Sequence, residues 1–130
     1  PDLVIDAIDS LNPKVALLKG ALARSIPVLS SMGAALRRDP LAVRLGDLFA
    51  VRGCPLAKHV RKRLRRDGIA GPVPCVYSVE PVDETALAPD TDPPMRPTGR
   101  PRRTLGSLPT LTGVFGLTLA NEAIMQLIRE

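Results

Sequence analysis

Aromatic residues are nearly missing from this chain: they make up 2% of its 130 residues, with no Trp, one Tyr and two Phe. A core of large rings is thereby excluded, and Leu, Val, Ile and Ala must fill the interior. Histidine occurs once. With no second His or carboxylate at ligand spacing, His59 reads as an exposed residue on a polar helix face. The two cysteines, Cys54 and Cys75, are too few for a disulfide framework, and their separation matches no zinc motif. A reducing, cytoplasmic setting is expected from this usage. No Gly-rich phosphate loop is present and no signal peptide is visible. The apolar run from Leu108 to Ala120 stops at Asn121 and Glu122, short of the roughly 20 residues a membrane span needs.

What is present is an α/β pattern. Leu3 to Ile8 is apolar except for Asp6, which suits a parallel strand covered on both faces. Ser10 or Asn12 can cap a helix with Pro13 in its first turn. That helix is expected to run to about Ser25, with Val15, Leu18, Leu22 and Ala23 on one face. Ile26 to Ser31 reads as the next strand, parallel to the first. Met32 to Ala35 is a turn, and Asp39-Pro40 another. Val43 to Leu48 follows as a strand, antiparallel to the others. Pro55 to Arg66 is helical by its spacing of Leu56, Val60 and Leu64, and Asp67-Gly68 ends it. Cys75 to Glu80 is a short strand. Residues 81–106 are rich in Pro, Asp and Arg with little to bury, so a long mobile loop is expected. Ser107 to Arg129 is the last helix, apolar nearly all round. It is therefore expected to be buried against the sheet or a partner, with Gly113 and Gly116 allowing close approach.

Four features bear on chemistry. Asp9 lies at a strand end before a helix, where a carboxylate either holds Mg²⁺ against a triphosphate or caps the helix through its free N–H groups. Asp6, in mid-strand, is expected to satisfy nearby backbone donors. The net charge is +5, and positive charge gathers at 58–66 and 96–103. Either cluster faces solvent or meets a phosphate backbone. Cys54 precedes a helix, where the dipole favours a reactive thiolate, whereas Cys75 starts a strand and reads as core.

The order of these features resembles a known family. Asp6-Ala7-Ile8-Asp9-Ser10 followed by Pro13-Lys14 resembles the corresponding stretch of the ThiF/MoeB/HesA superfamily of ATP-dependent adenylating enzymes. Several segments are similar to its TcdA branch, the threonylcarbamoyladenosine dehydratases of tRNA. These are Gly33-Ala34 with Asp39-Pro40, Gly46-Asp47-Leu48, Pro55-Leu56-Ala57, Val76-Tyr77-Ser78 with Glu80, and Gly106-Ser107 with Gly113-Val114-Phe115-Gly116. The resemblance implies transfer of AMP from ATP to a substrate carboxylate with release of pyrophosphate. In the TcdA branch the carboxylate belongs to the threonine of a modified tRNA adenosine, which then cyclises with loss of water.

It further implies that Asp9 holds Mg-ATP, that Lys14 stands near that site, and that Gly33 and Ala34 form a turn associated with a monovalent cation. At that turn Met32 replaces a glycine, and at the Pro-Leu-Ala helix Cys54 replaces an Asp. A homodimer is implied as well. The family's Gly-x-Gly-Gly-x-Gly loop, its ribose-binding acid and its phosphate-binding Arg and Lys do not occur in this sequence. The chain is therefore expected to be the C-terminal part of one adenylating domain, inactive alone: the C-terminal half of a Rossmann-like α/β sheet with a small antiparallel extension. Two alternatives stand beside it. One is activation of a ubiquitin-like sulfur-carrier protein, with a sulfur-transfer partner; the other is a non-catalytic binding module.

Overall fold

The computed structural model describes residues 1–82 and 106–129. The elements follow in the order β1 (Val4–Asp6), α1 (Leu11–Ala23), β2 (Val28–Ser31), a 3₁₀ turn (Pro40–Ala42), β3 (Val43–Asp47), α2 (Pro55–Arg66), β4 (Pro74–Ser78) and α3 (Pro109–Leu127). The strands form one sheet in the order β1-β2-β4-β3. β1 pairs β2 in parallel, Val4 opposite Val28, and β2 pairs β4 in parallel, Ser30 opposite Cys75. β3 runs antiparallel to β4, Leu45 opposite Val76. This is the expected α/β half-sheet, and β3 is its antiparallel extension. The expected loop at 81–106 lies almost wholly outside the described residues.

Two strands are shorter than their hydrophobic runs, for local reasons. β1 stops at Asp6 because the Asp6 carboxylate accepts the Ile8 N–H at 3.0 Å, withdrawing that donor from the ladder. β2 starts at Val28 because Ile26 belongs to the stop of α1. Ser25 sits in the left-handed region at φ 53. Its N–H bonds the Leu22 carbonyl while the Ile26 N–H reaches back to Ala21, both at 3.0 Å. That is a Schellman motif, and Pro27 follows it. The end of α2 repeats the motif with Gly68 at φ 77, where a glycine adopts the left-handed conformation without strain.

The sheet is covered on both faces, unequally. On one face α1 and α2 pack Val15, Leu18, Ala21, Val60 and Leu64 against Val28 and Cys75. On α1 the inward residue of the last turn is Ala21, not the expected Ala23, which is exposed. On the other face, α3 packs Leu111, Phe115, Leu119 and Ala123 on Leu29 and Val76. α3 is buried against the sheet, as expected, but along a single stripe, because one helix laid on a sheet touches it on one side only. Its outer face stays exposed, with Leu117 at 74%, Ile124 at 57% and Ile128 at 67%. Gly113 and Gly116 do not serve close approach to the sheet: a Cβ at either would meet nothing within 4 Å among the described residues. No helix among the described residues is long and apolar enough to cross a membrane.

The turn at 36–39 gathers distant pieces of chain. The Leu36 N–H bonds the Gly106 carbonyl at 2.9 Å. The Glu80 carboxylate accepts the N–H groups of Arg38 and Asp39 at 2.7 and 2.9 Å. Buried Arg37 donates to the Glu80 carbonyl and, at 2.9 Å, to that of Gly53. The Asp39 and then the Arg38 N–H hold the Glu80 carboxyl below the usual carboxylate range. Its folded value is the lower one, so its contribution to stability is present at neutral pH and fades as pH falls through that value.

Candidate functional site

β1 and β2 both end at a pocket of about 260 Å³. Ligands of open α/β sheets lie outside the carboxyl ends of the strands, and this pocket has that position. The segment after β1 contributes Ala7, Ile8 and Asp9, and the segment after β2 contributes Ser31, Met32, Gly33 and Ala34. Leu56 of α2 and Phe115 and Leu119 of α3 form the apolar wall. Three of the four residues singled out in the sequence, Asp9, Gly33 and Ala34, thus meet in one place. The Asp9 side chain is exposed and takes no part in the side-chain hydrogen bonds found among the described residues. Ser10 occupies the cap position of α1, also without a side-chain cap bond. The capping role is therefore not the one Asp9 plays.

Lys14 stands apart from that lining. Its ammonium is fully buried and donates to the Asp6 carboxylate at 2.7 Å and the Ile8 carbonyl at 2.9 Å. Asp6, also fully buried, accepts from the Ser30 hydroxyl at 2.6 Å as well as from the Ile8 N–H. Both backbone groups of Ile8 are held by this ion pair, and Asp9 is the next residue. The pair thus fixes the segment that carries Asp9. The expectation that Asp6 satisfies backbone donors holds, but its ionic partner was not visible from sequence. Lysine is a residue that rarely lies inside; the available signal was the eight-residue spacing from a strand carboxylate to the first turn of the next helix.

The two thiols lie in different surroundings. Cys54 is buried and caps α2, its sulfur accepting the Ala57 N–H at 3.5 Å. Cys75 is fully buried, and burial first, then Asp47, pushes its thiol up to about 12. Among the described residues no group of three or more His, Cys, Asp or Glu side chains is placed to hold a metal ion. His59 is exposed, as expected.

Three parallel strands with an antiparallel fourth, helices on both faces and a pocket at the strand ends define a Rossmann-like half-sheet. No family model matches the chain. It is 42% identical to tRNA threonylcarbamoyladenosine dehydratase 2 of Saccharomyces cerevisiae, over 64% of this chain and 19% of that protein. It is 31% identical to tRNA threonylcarbamoyladenosine dehydratase of Escherichia coli, over 98% of this chain and 52% of that protein. The structure of the E. coli protein, TcdA, in complex with ATP matches with a TM-score of 0.78 at 28% identity, covering 98% of this chain and 48% of that one. Its complex with AMP matches with the same TM-score. The chain is homologous to the tRNA threonylcarbamoyladenosine dehydratases and shares the fold of TcdA. It spans about half the length of the E. coli relative and a smaller share of the yeast one.

Proposed function

We propose that this chain forms the metal-binding side of an adenylating site of the tRNA threonylcarbamoyladenosine dehydratase kind, a cytoplasmic tRNA-modifying activity, within one domain of the ThiF/MoeB/HesA type. The observation that supports it is the exposed Asp9 carboxylate, without a hydrogen-bond partner among the described residues, in a pocket at the strand ends, in a fold shared with a protein solved with ATP and with AMP. One carboxylate with no further acidic ligand beside it suits Mg²⁺, which is commonly held by one or two carboxylates together with substrate phosphates. Bound Mg-ATP would supply an electrophilic phosphorus for a substrate carboxylate, with pyrophosphate leaving.

Within that chemistry Asp9 holds the ion, and Leu56, Phe115 and Leu119 exclude water from one side. Lys14 acts on the site through Asp6 and the Ile8 carbonyl. Any monovalent cation at Gly33 and Ala34 would rest on backbone carbonyls, since no acidic side chain of the lining other than Asp9 is available there. Backbone N–H groups of a Gly-rich loop supply much of a phosphate cradle, and this sequence contains none. The 130 residues alone are therefore expected to bind nucleotide weakly and to turn nothing over. The sulfur-carrier alternative is disfavoured because neither thiol is among the residues that line the Asp9 pocket.

The test uses Mn²⁺ in place of Mg²⁺. Titrated with ATP into the ¹⁵N-labelled chain, it should broaden the amide signals of residues 7–9 and 32–34, and Asp9→Asn should abolish the effect. Broadening that ignores Asp9→Asn, or none at all, sinks the metal role. ATP–pyrophosphate exchange by the chain alone should be nil, and measurable exchange sinks the claim of inactivity.

A homodimer is part of the same proposal. The outer face of α3 carries Leu117, Ile124 and Ile128 into solvent, and apolar faces of this kind mark interaction surfaces. In sedimentation, Leu117→Glu should convert the dimer to a monomer by setting like charges against each other. A dimer that persists in the variant places the interface elsewhere.

A further inference from the structure

A second and larger cavity, of about 520 Å³, opens at the start of α2. Arg52, Lys58 and Arg61 line it, and among the described residues no acidic side chain does. None of the three belongs to an ion pair among the described residues, where the pairs are Lys14–Asp6, Lys19–Asp67 and Arg66–Asp67. The backbone holds two of them together. Arg61 donates to the Leu48 and Val51 carbonyls at 3.1 and 2.7 Å, and Arg52 donates to the same Val51 carbonyl at 3.3 Å. A guanidinium has five N–H donors, so most of theirs are left over.

The helix adds charge of the same sign. An α-helix N-terminus carries about half a positive charge, and the first turn of α2 contains no acidic residue to offset it. The crowding acts on Arg61, whose basicity is lowered by burial first and then by Arg52 and Arg65. Buried Lys14, by contrast, is paired with Asp6. Here like charges are fixed side by side around an open cavity. From the cavity the charge continues along α2, with Lys62 and Arg65 about one turn beyond Lys58 and Arg61. Arg65 lies over the Phe49 ring, 5.5 Å from its centroid.

We propose that this cavity binds a phosphate group of an RNA backbone through Arg52, Lys58 and Arg61, and that the strip along α2 follows the adjoining phosphates. The phosphate chemistry rests on these side chains alone; the choice of RNA as its source rests on the function proposed above. The placement fits that function, because the first turn of α2 borders both cavities, with Leu56 lining the Asp9 pocket and Pro55 lining this one.

The experiment is a fluorescence-anisotropy titration of a short labelled RNA hairpin at several KCl concentrations. Arg52 and Lys58 are exposed, so Arg52→Gln and Lys58→Gln leave the core untouched. Each should weaken binding several-fold. Together they should weaken it about tenfold or more and reduce the slope of log Kd against log[KCl] by about 1 for each lost contact. Arg44→Gln, an exposed cation on β3, serves as the control and should leave the slope unchanged. Wild-type affinity and slope in the double variant would overturn the proposal, as would no RNA binding by the wild type at low salt. So would inorganic phosphate shifting the Arg52 and Lys58 amide signals while RNA shifts neither. Asp9→Asn should leave RNA binding intact, so a failed adenylating role and a failed RNA site give different results.

Discussion

Lys14→Met should lower the stability of the chain by about 3–5 kcal/mol, the usual effect of removing one partner from a buried ion pair. Both side chains are fully excluded from water, so the Asp6 carboxylate left behind has neither solvent nor a counter-ion. It retains only the Ser30 hydroxyl and the Ile8 N–H. Removing both charges is a different experiment. In Asp6→Leu with Lys14→Met no orphaned charge remains; the buried Ser30 hydroxyl is left unsatisfied at a cost of roughly 1–3 kcal/mol, while the N–H and carbonyl of half-buried Ile8 can turn to water. The double variant should therefore be more stable than Lys14→Met alone. Urea unfolding of the three proteins checks this. Equal or smaller loss in the single variant would mean that the two side chains do not act as a buried, mutually dependent pair. Since whole domains are stable by only about 5–15 kcal/mol, the single variant removes a large share of the total.

Phe115→Ala should cost about 3–5 kcal/mol, as deletion of a buried ring commonly does. Phe115 is 2% exposed and sits in the stripe by which α3, the one helix among the described residues on that side, covers its face of the sheet. With so few aromatic residues in the chain, no neighbouring ring can move in to fill the void. The informative control is Leu117→Ala, two residues along the same helix and 74% exposed in the single chain, with both variants compared at dilutions where the chain is monomeric. It should change stability by no more than about 0.5 kcal/mol. Similar losses at both positions would show that helix propensity, and not packing on the sheet, holds α3 in place. Phe115 also walls the Asp9 pocket, so the same deletion should enlarge that pocket.

The elements were legible where the pattern and the stop signals agreed. α2 runs from Pro55 to Arg66, as its four-residue spacing and the Asp67-Gly68 stop predict, and β3 is antiparallel, as expected. Strand ends were less legible, because Asp6 and Ile26 bond to groups that a hydrophobic pattern does not register. The exposed outer face of α3 was not legible for a related reason: composition shows how apolar a helix is, not how much surface its neighbours offer. For the pocket, Asp9 followed from strand-end logic and from the family resemblance. Its apolar wall of Leu56, Phe115 and Leu119 could not be read from sequence, since these residues come from elements far apart in the chain. The buried cations Lys14 and Arg37 were hidden by the general rule that such residues lie outside.

The turn at 36–39 has a consequence for how this chain tolerates change in length. Glu80 and Gly106 are both tied to it, one through its carboxylate and carbonyl, the other through its carbonyl. The two anchors at either end of the intervening stretch are therefore set by contacts outside that stretch. Joining two points that are already held in place grows costlier only slowly with the number of residues between them, by about 0.6 kcal/mol for each doubling in a flexible connection. A change in length between Val82 and Gly106 leaves these anchoring contacts themselves intact, whereas a change at Glu80 or in the turn does not.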